Sequence, residues 1–408
     1  MFRKDRMFPR FALYGFLKNL RFFEPFLILI FREAGLSFTL IGTLYAIRDT
    51  TTYLLEVPTG VLADAFGRRK AMLMAFGAYL VSFAVFYWGR GFGWFALAMI
   101  LFAVGEAFRS GTHKALILEY LKLNRMEHLK VSYYGRTRSA SQFGSAINAL
   151  IAAALAFYTG SYRIMFLAAA VPYVLDFINL ATYPPELDGE LTALRWQAVR
   201  QQARQTWQDF RAMFTDRQVW RAILNSASFM ALFKATKDYL QPILEQFALA
   251  LPVFLAYSGQ QRGAVVVGVV YFFIYLSTSY ASRNADRFSR RFANLAQAIN
   301  RSYLLGVFLL ALAGAVTWGG WTGVAIVAYL GFYVLHNLRR PMNVAYISDQ
   351  IASRVMASGL SVESVVRTLL ASGLALLLGV LADLLGVGPA LAVLAFLIAA
   401  LFPILRVE

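Results

Sequence analysis

Apolar runs of about 20 residues follow one another along this chain and leave it few ways to fold. A helical run of that length crosses a hydrocarbon core roughly 30 Å thick. The composition agrees: 59% of the 408 residues are hydrophobic and 15% charged, and mean hydropathy is +0.57. That is too little charge to cover a water-soluble surface. In lipid, every backbone N–H and C=O must be bonded within the structure, so the spans are helices; barrel strands would be shorter and would alternate strictly. The expected fold is an all-α polytopic membrane protein.

About twelve spans can be placed, at 11–31, 38–62, 71–88, 94–120, 138–158, 164–181, 220–248, 263–282, 295–318, 324–347, 355–385 and 389–405. The longest polar segment, 184–217, separates two groups of six. The expected organisation is therefore an N-terminal six-helix bundle (1–183), a linker (184–217) and a C-terminal six-helix bundle (218–408). In the linker, Trp196, Val199, Ala203, Trp207, Phe210 and Phe214 fall at steps of three and four, the pattern of an amphipathic helix on a membrane surface. The first residues lack a clean apolar centre and a small-residue cleavage site, and read as a cytoplasmic leader to span 1 rather than a signal peptide.

Charge sets the orientation. Arg3, Lys4, Arg6 and Arg10 precede span 1. Arg68, Arg69 and Lys70 lie between spans 2 and 3, Lys122, Arg125 and Lys130 between spans 4 and 5, and Arg283, Arg287, Arg290 and Arg291 between spans 8 and 9. The alternate loops are short and poorer in charge. The positive-inside rule then puts both termini in the cytoplasm, and the expected location is the cell (inner) membrane. The net charge of +17 does not point to nucleic acid, because the cations sit in loops and inside spans rather than in one soluble basic domain. With no Cys and three His, neither a metal site nor a disulfide is expected. No glycine-rich nucleotide loop and no convergent Ser/His/Asp set is present, so neither a cofactor nor an enzymatic activity is expected.

The sharpest local pattern is Glu56 to Lys70, EVPTGVLADAFGRRK. One apolar run ends through Gly60 and Asp64, and another begins directly after Gly67, Arg68, Arg69 and Lys70. A weaker copy, Ala285-Asp286-Arg287-Phe288-Ser289-Arg290-Arg291, follows span 8. With twelve spans and a central linker, this pattern resembles the major facilitator superfamily over essentially the whole chain. The resemblance implies two pseudo-symmetric six-helix bundles that move a solute by alternating access. It also implies a conformational latch at Gly60, Asp64, Gly67, Arg68 and Arg69, with Asp286 and Arg290 in the second copy. The family's basic residue after the first Asp is Ala65 here, and the Gly-Pro-rich antiporter pattern of span 5 is missing, with Gly144 but no Pro.

Ionisable residues inside spans are costly and tend to face a cavity or a partner. Spans 3, 6, 9 and 12 hold few of them. Spans 1, 4, 7 and 10 hold many, and in the family resembled these four line the central cavity. Tyr14, Lys18, Arg21 and Pro25 share one helical face by their spacing, as do Glu106, Arg109 and His113. Candidate substrate-binding residues are Tyr14, Lys18, Arg21, Arg109, His113, Lys234, Gln241, His336 and Arg339. Candidate proton-coupling residues are Glu24, Asp49, Glu106 and Asp238. The pairs Arg21–Glu24 and Glu106–Arg109 read equally as structural ion pairs. Surplus positive charge on the four helices suits an anionic or zwitterionic organic solute. The expected partners are that solute, protons and membrane lipid, with the protein a monomer. Two other readings stand beside this one: efflux of amphipathic drugs past aromatic residues such as Phe22, Phe23 and Phe108, and a non-transporting receptor or scaffold on the same fold.

Because the chain has no cysteine, an introduced one is its sole thiol. Ser289→Cys is expected to react with a membrane-impermeant maleimide only from the cytoplasmic side, and Ser161→Cys only from outside. The reverse labelling pattern would overturn the orientation.

Overall fold

In the computed structural model the chain is described at residues 5–189, 191, 204, 208, 217–253, 255–350 and 356–408, with backbone only at 131, 132, 134, 348–350 and 356–361. The amphipathic stretch expected at 196–214 lies almost wholly outside the described residues. No strand occurs among those described. The chain divides into two compact units, 1–26 with 47–202 and 27–46 with 203–408. The units therefore do not follow the sequence halves, because the segment from Leu27 to Ala46 belongs with the second.

The first unit opens with α1 (Phe8–Leu17). Span 1 was expected to run unbroken over 11–31, but α1 ends at Leu17. A non-helical stretch follows, then a 3-10 turn over Glu24–Phe26 and α2 (Leu27–Glu33), whose residues belong to the second unit. Pro25 cannot donate to a helix ladder, which favours an interruption here. The freed carbonyls find donors in the first unit. Asn19 Nδ2 donates to Gly15 O at 2.6 Å, and the Tyr173 hydroxyl donates to Lys18 O at 3.0 Å. Helix α3 (Phe38–Phe66) is shared between the units, and α4 (Arg68–Trp88) follows after Gly67. Span 4 is also divided, into α5 (Gly91–Arg109) and α6 (Thr112–Leu123), by Ser110 and a left-handed Gly111. Helices α7 (Lys130–Thr159) and α8 (Met165–Ala181) complete the unit. Helix α1 packs on α7 and α8, and α4 packs on α5, α6 and α8. A Cβ at Gly144 would lie 2.6 Å from Phe16 O, so this glycine lets α7 approach the backbone of α1.

The second unit repeats the theme. Span 7 is α9 (Arg217–Thr236), a 3-10 turn over Lys237–Tyr239, and α10 (Leu240–Ala250). Here too tyrosines from a neighbouring helix hold the freed carbonyls: Tyr329 donates to Thr236 O at 3.1 Å and Tyr333 to Lys237 O at 3.0 Å. Then come α11 (Gly259–Arg283), the short α12 (Ala285–Ser289), α13 (Leu295–Trp318), α14 (Thr322–Gln350), α15 (Met356–Leu385), α16 (Val387–Ala400) and α17 (Phe402–Leu405). Helix α9 packs on α15 and α14, and α13 packs on α14 and α16. Within this unit Asp383, near the end of α15, accepts the backbone N–H groups of Phe38 at 2.8 Å and Thr39 at 2.7 Å, at the N-terminus of α3. The carboxylate meets the positive end of that helix.

Among the described residues, six segments are long and apolar enough to span a membrane by themselves: α4, α5 with α6, 135–159, α11, α13 and 362–385. Helices α8 and α16 are apolar but shorter. The remaining segments are the charged or interrupted ones. Exposed Trp88, Trp94, Tyr158, Trp318 and Trp321 fall at loops that alternate with the basic loops, as an interfacial aromatic belt requires.

Helices α13 and α16 meet through glycine: a Cβ at Gly314 would lie 2.6 Å from both Ala392 N and Gly388 O. Nothing lies within 4 Å of the equivalent point at Gly77. Gly314→Leu is expected to cost about 1–3 kcal/mol by overpacking, lowering the melting temperature in detergent, whereas Gly77→Leu should leave it near the wild-type value.

Candidate functional site

The break in span 1 carries Lys18, Arg21 and Glu24; the Arg21 side chain is largely buried and that of Glu24 exposed. Glu106, on the last turn of α5, is the hub. Its Oε1 accepts from Arg21 Nη2 at 2.5 Å and from the Tyr79 hydroxyl at 2.7 Å, and its Oε2 accepts from Arg109 Nη2 at 2.6 Å. Arg21 also donates to Glu24 at 3.0 Å and to the Tyr173 hydroxyl at 2.6 Å, and Arg109 donates to Tyr79 at 3.0 Å. The guanidinium of Arg21 lies 5.1 Å from the Phe102 ring centroid. Two separate pairs were expected, Arg21–Glu24 and Glu106–Arg109; the structure joins them into one network. The tyrosines that close it, Tyr79 and Tyr173, were not singled out by sequence, since an intramembrane tyrosine carries no charge to draw attention.

Lys18 makes no ion pair among the described residues; its Nζ lies 5.5 Å from the Tyr14 ring centroid. Tyr14 stacks on His113 at 3.5 Å between centroids, and His113 Nε2 is 3.4 Å from the Tyr183 hydroxyl. Burial, reinforced by the Asp176 carboxyl, pushes the Tyr183 phenol up. Asp176, in α8, is fully buried and was passed over in a span read as poor in charge. The signal was available: VPYVLDFINL sets a single carboxylate in an apolar run, three residues from both Tyr173 and Asn179. Asp49 forms a 3.0 Å pair with Arg48.

In the second unit Lys237 Nζ pairs with Asp238 at 2.7 Å inside the 3-10 turn that divides span 7. Gln241 is buried and accepts the Ile28 N–H at 2.8 Å. His336 stacks on Phe233 at 3.7 Å. Lys234 lies in the last turn of α9. Arg339 is 1% exposed. One of its nitrogens donates to Ile299 O and to Ser302 Oγ at 2.9 Å, another donates to Asn225 Oδ1 at 2.7 Å, and its guanidinium lies 4.3 Å from the Phe229 ring centroid. Its fork is thus occupied by neutral groups of its own unit. Glu363 pairs with Arg367 at 3.1 Å and accepts from Ser226 at 3.3 Å.

At the motif loop, Arg68 lies 3.7 Å from Asp64 and 3.6 Å from Glu119. Gly67 has φ +103, and a Cβ there would come within 2.7–2.8 Å of the Asp188 carboxylate. That carboxylate accepts the Arg69 N–H at 2.7 Å, while Arg69 Nη1 donates to Tyr183 O at 3.1 Å. Glycine is required twice over: for the backbone conformation and to admit Asp188 to the N-terminus of α4. Gly60 sits in α3 with open space beside it. In the second copy Asp286 pairs with Arg290 at 3.0 Å on an exposed turn.

This architecture, helices broken at charged turns within two units, is that of a membrane transporter. Residues 12–375 match the Major Facilitator Superfamily, and the chain belongs to it as a multi-pass secondary transporter. Solved structures share the fold. The nucleoside transporter NupG superposes with TM-score 0.77 at 12% identity, covering 98% of each chain. A POT family transporter in complex with 5-aminolevulinic acid gives 0.71 at 14%, covering 98% of this chain and 96% of that one. A peptide transporter POT in complex with sulfate gives 0.71 at 14%, covering 98% and 94%. No curated protein sequence matches significantly.

Removing one member of a buried ion network leaves uncompensated charge behind, at about 3–5 kcal/mol; removing one hydroxyl costs about 1 kcal/mol. Glu106→Ala is therefore expected to destabilise the detergent-purified protein several-fold more than Tyr79→Phe in thermal unfolding. Similar small losses for both would show that the network contributes little.

Proposed function

We propose that this transporter carries a small anionic or zwitterionic organic solute by alternating access, coupled to protons, in the inner membrane of a cell. The observation that carries the proposal is the Arg21–Glu106–Arg109 network with Lys18 beside it. In the network itself two guanidiniums face two carboxylates, Glu106 and Glu24. Lys18 adds positive charge that no ion pair offsets, so the region attracts a carboxylate or phosphate group. A solute that competes for Arg21 would loosen its hold on Glu24 and Glu106 and so favour their protonation; that exchange is the proposed coupling.

The roles can be divided. Lys18, Arg21 and Arg109 would receive the anionic group, with Tyr14 and His113 as the adjoining wall. Within the second unit Lys234, Gln241 and His336 are the candidate solute-binding residues, with Asp238 next to Lys237 as a second coupling carboxylate. Arg339 is better suited to holding α9, α13 and α14 together, since both of its terminal nitrogens already donate to groups of its own unit, and Asp49 with Arg48 to clamping within the first unit. Asp64, Arg68 and Arg69 with Glu119 and Asp188, and Asp286 with Arg290, would serve as conformational latches. Neighbours of this fold solved with a zwitterion and with sulfate are compatible with such a cargo. Drug efflux is less favoured: Phe22 and Phe23 are buried, and Phe23 lies against Phe83 and Phe166 at 5.2 and 5.0 Å, where it packs a core.

A thermal-shift screen of organic anions, zwitterions, sugars and lipophilic cations tests this directly. A ligand of the folded state stabilises it by about 2.7 kcal/mol at a hundredfold excess over its dissociation constant. Stabilisation by anions or zwitterions that is lost in Lys18→Gln is the expected result. Stabilisation by lipophilic cations alone would reverse the assignment of cargo.

A further inference from the structure

Four carboxylates are buried among the described residues: Asp49, Asp176, Asp238 and Glu363. Three of them have a cation at ion-pair distance, namely Arg48, Lys237 and Arg367. Asp176 has none. Its Oδ1 accepts from Asn179 Nδ2 at 3.2 Å, and its Oδ2, cut off from solvent, has no hydrogen-bond partner. A bare carboxylate oxygen in such a place is strongly disfavoured, whereas a carboxylic acid is tolerated.

The surroundings supply only weak compensation. Lys18, just after α1, acts on Asp176 electrostatically, and the carboxyl in turn is felt by the phenols of Tyr14 in α1 and Tyr183 in the turn after α8. Asn179 bridges to the backbone carbonyl of Arg10 at 3.1 Å. From α4 comes Phe76, whose ring lies 6.0 Å from that of Tyr14 and 5.1 Å from that of Tyr173. The buried face of α7 carries Asn148 and alanines along this part of its length. Lys18, at the break of span 1, is the cation whose charge Asp176 senses, yet the two are not paired.

We infer that Asp176 is a proton-binding site of this transporter, with Lys18 as the cation that sets its occupancy. A proton taken from water binds Oδ2 and converts the carboxylate to a carboxylic acid; no other bond changes. Because Tyr173, three residues earlier on α8, bonds both Arg21 and the carbonyl of Lys18, a change of charge at Asp176 is felt where the solute is proposed to bind. The inference rests on the proton-coupled reading above and adds to it a site in α8, outside the four charge-rich spans.

Infrared difference spectroscopy of the full-length protein across a pH series tests the site without any solute. The C=O stretch of a protonated carboxylic acid, moved by D2O exchange, is expected near neutral pH and should disappear in the isosteric Asp176→Asn while remaining in Glu363→Gln. In Lys18→Gln, with the opposing positive charge gone, the band should persist to higher pH. Absence of the band in the wild type, or its survival in Asp176→Asn, would overturn the site; an unmoved band in Lys18→Gln would overturn the role of Lys18. Since no solute is used, the outcome is independent of coupling. A protonated Asp176 in a protein whose solute uptake ignores the proton gradient would keep the site and discard the coupled reading.

Discussion

A backbone polar group left bare in hydrocarbon costs several kcal/mol, and the points where this chain nonetheless breaks its helices are where its intramembrane charges gather. Three breaks matter: after Leu17, at Ser110–Gly111 and at Lys237–Tyr239. At the first and third, freed carbonyls are capped by tyrosine hydroxyls from a neighbouring helix of the same unit: Tyr173 on Lys18, Tyr329 on Thr236 and Tyr333 on Lys237. Each capped break carries a lysine and lies next to a carboxylate. Broken helices of this kind are where secondary transporters place their sites. The cap and the local charge thus come together in one arrangement, found once in each unit.

Electrostatics then divides the intramembrane charges by how completely each is answered. Glu106 accepts from two guanidiniums and one phenol, so its charge is balanced in place. The two terminal nitrogens of Arg339 donate to a carbonyl, a hydroxyl and an amide. Among the described residues, Lys18 and Asp176, buried or half-buried, likewise have no ion-pair partner, and fewer neutral groups answer them than answer Arg339. In a low-dielectric interior such groups hold the most reversible charge, because little has to be broken for a proton or a solute to change their state.

The sequence made the gross architecture readable because hydrocarbon thickness imposes a length and an apolar composition on every span. Spans without charge were placed closely: 295–318 coincides with α13, and 71–88 lies within α4. The misreadings fall where polar residues interrupt a span. A run containing Lys18, Arg21, Glu24 and Pro25 looks continuous by hydropathy, yet its carbonyls are turned aside, and the contact that holds the Lys18 carbonyl comes from Tyr173, 155 residues away. The one-face spacing of Glu106 and Arg109 gave their pairing, but their junction with Arg21 is tertiary. Asp188 was assigned to a linker on composition, although it caps α4; nothing local in PPELDG announces a partner 119 residues distant. Asp176 is different, since its lone charge in an apolar run was itself a signal.

The claim at the centre of this account is that solute and proton occupancy are linked through the cluster at the span-1 break. Linkage is reciprocal for binding equilibria, so it can be read from either side. The direct measurement is proton uptake or release by the purified protein in weak buffer, followed with a pH-sensitive dye, on addition of an organic anion or zwitterion that stabilises the fold. The account predicts proton uptake in proportion to solute bound, abolished when Glu24, Glu106 and Asp176 are together replaced by their amides. Saturable binding with no change in bound protons at any pH between 5 and 9 would contradict it.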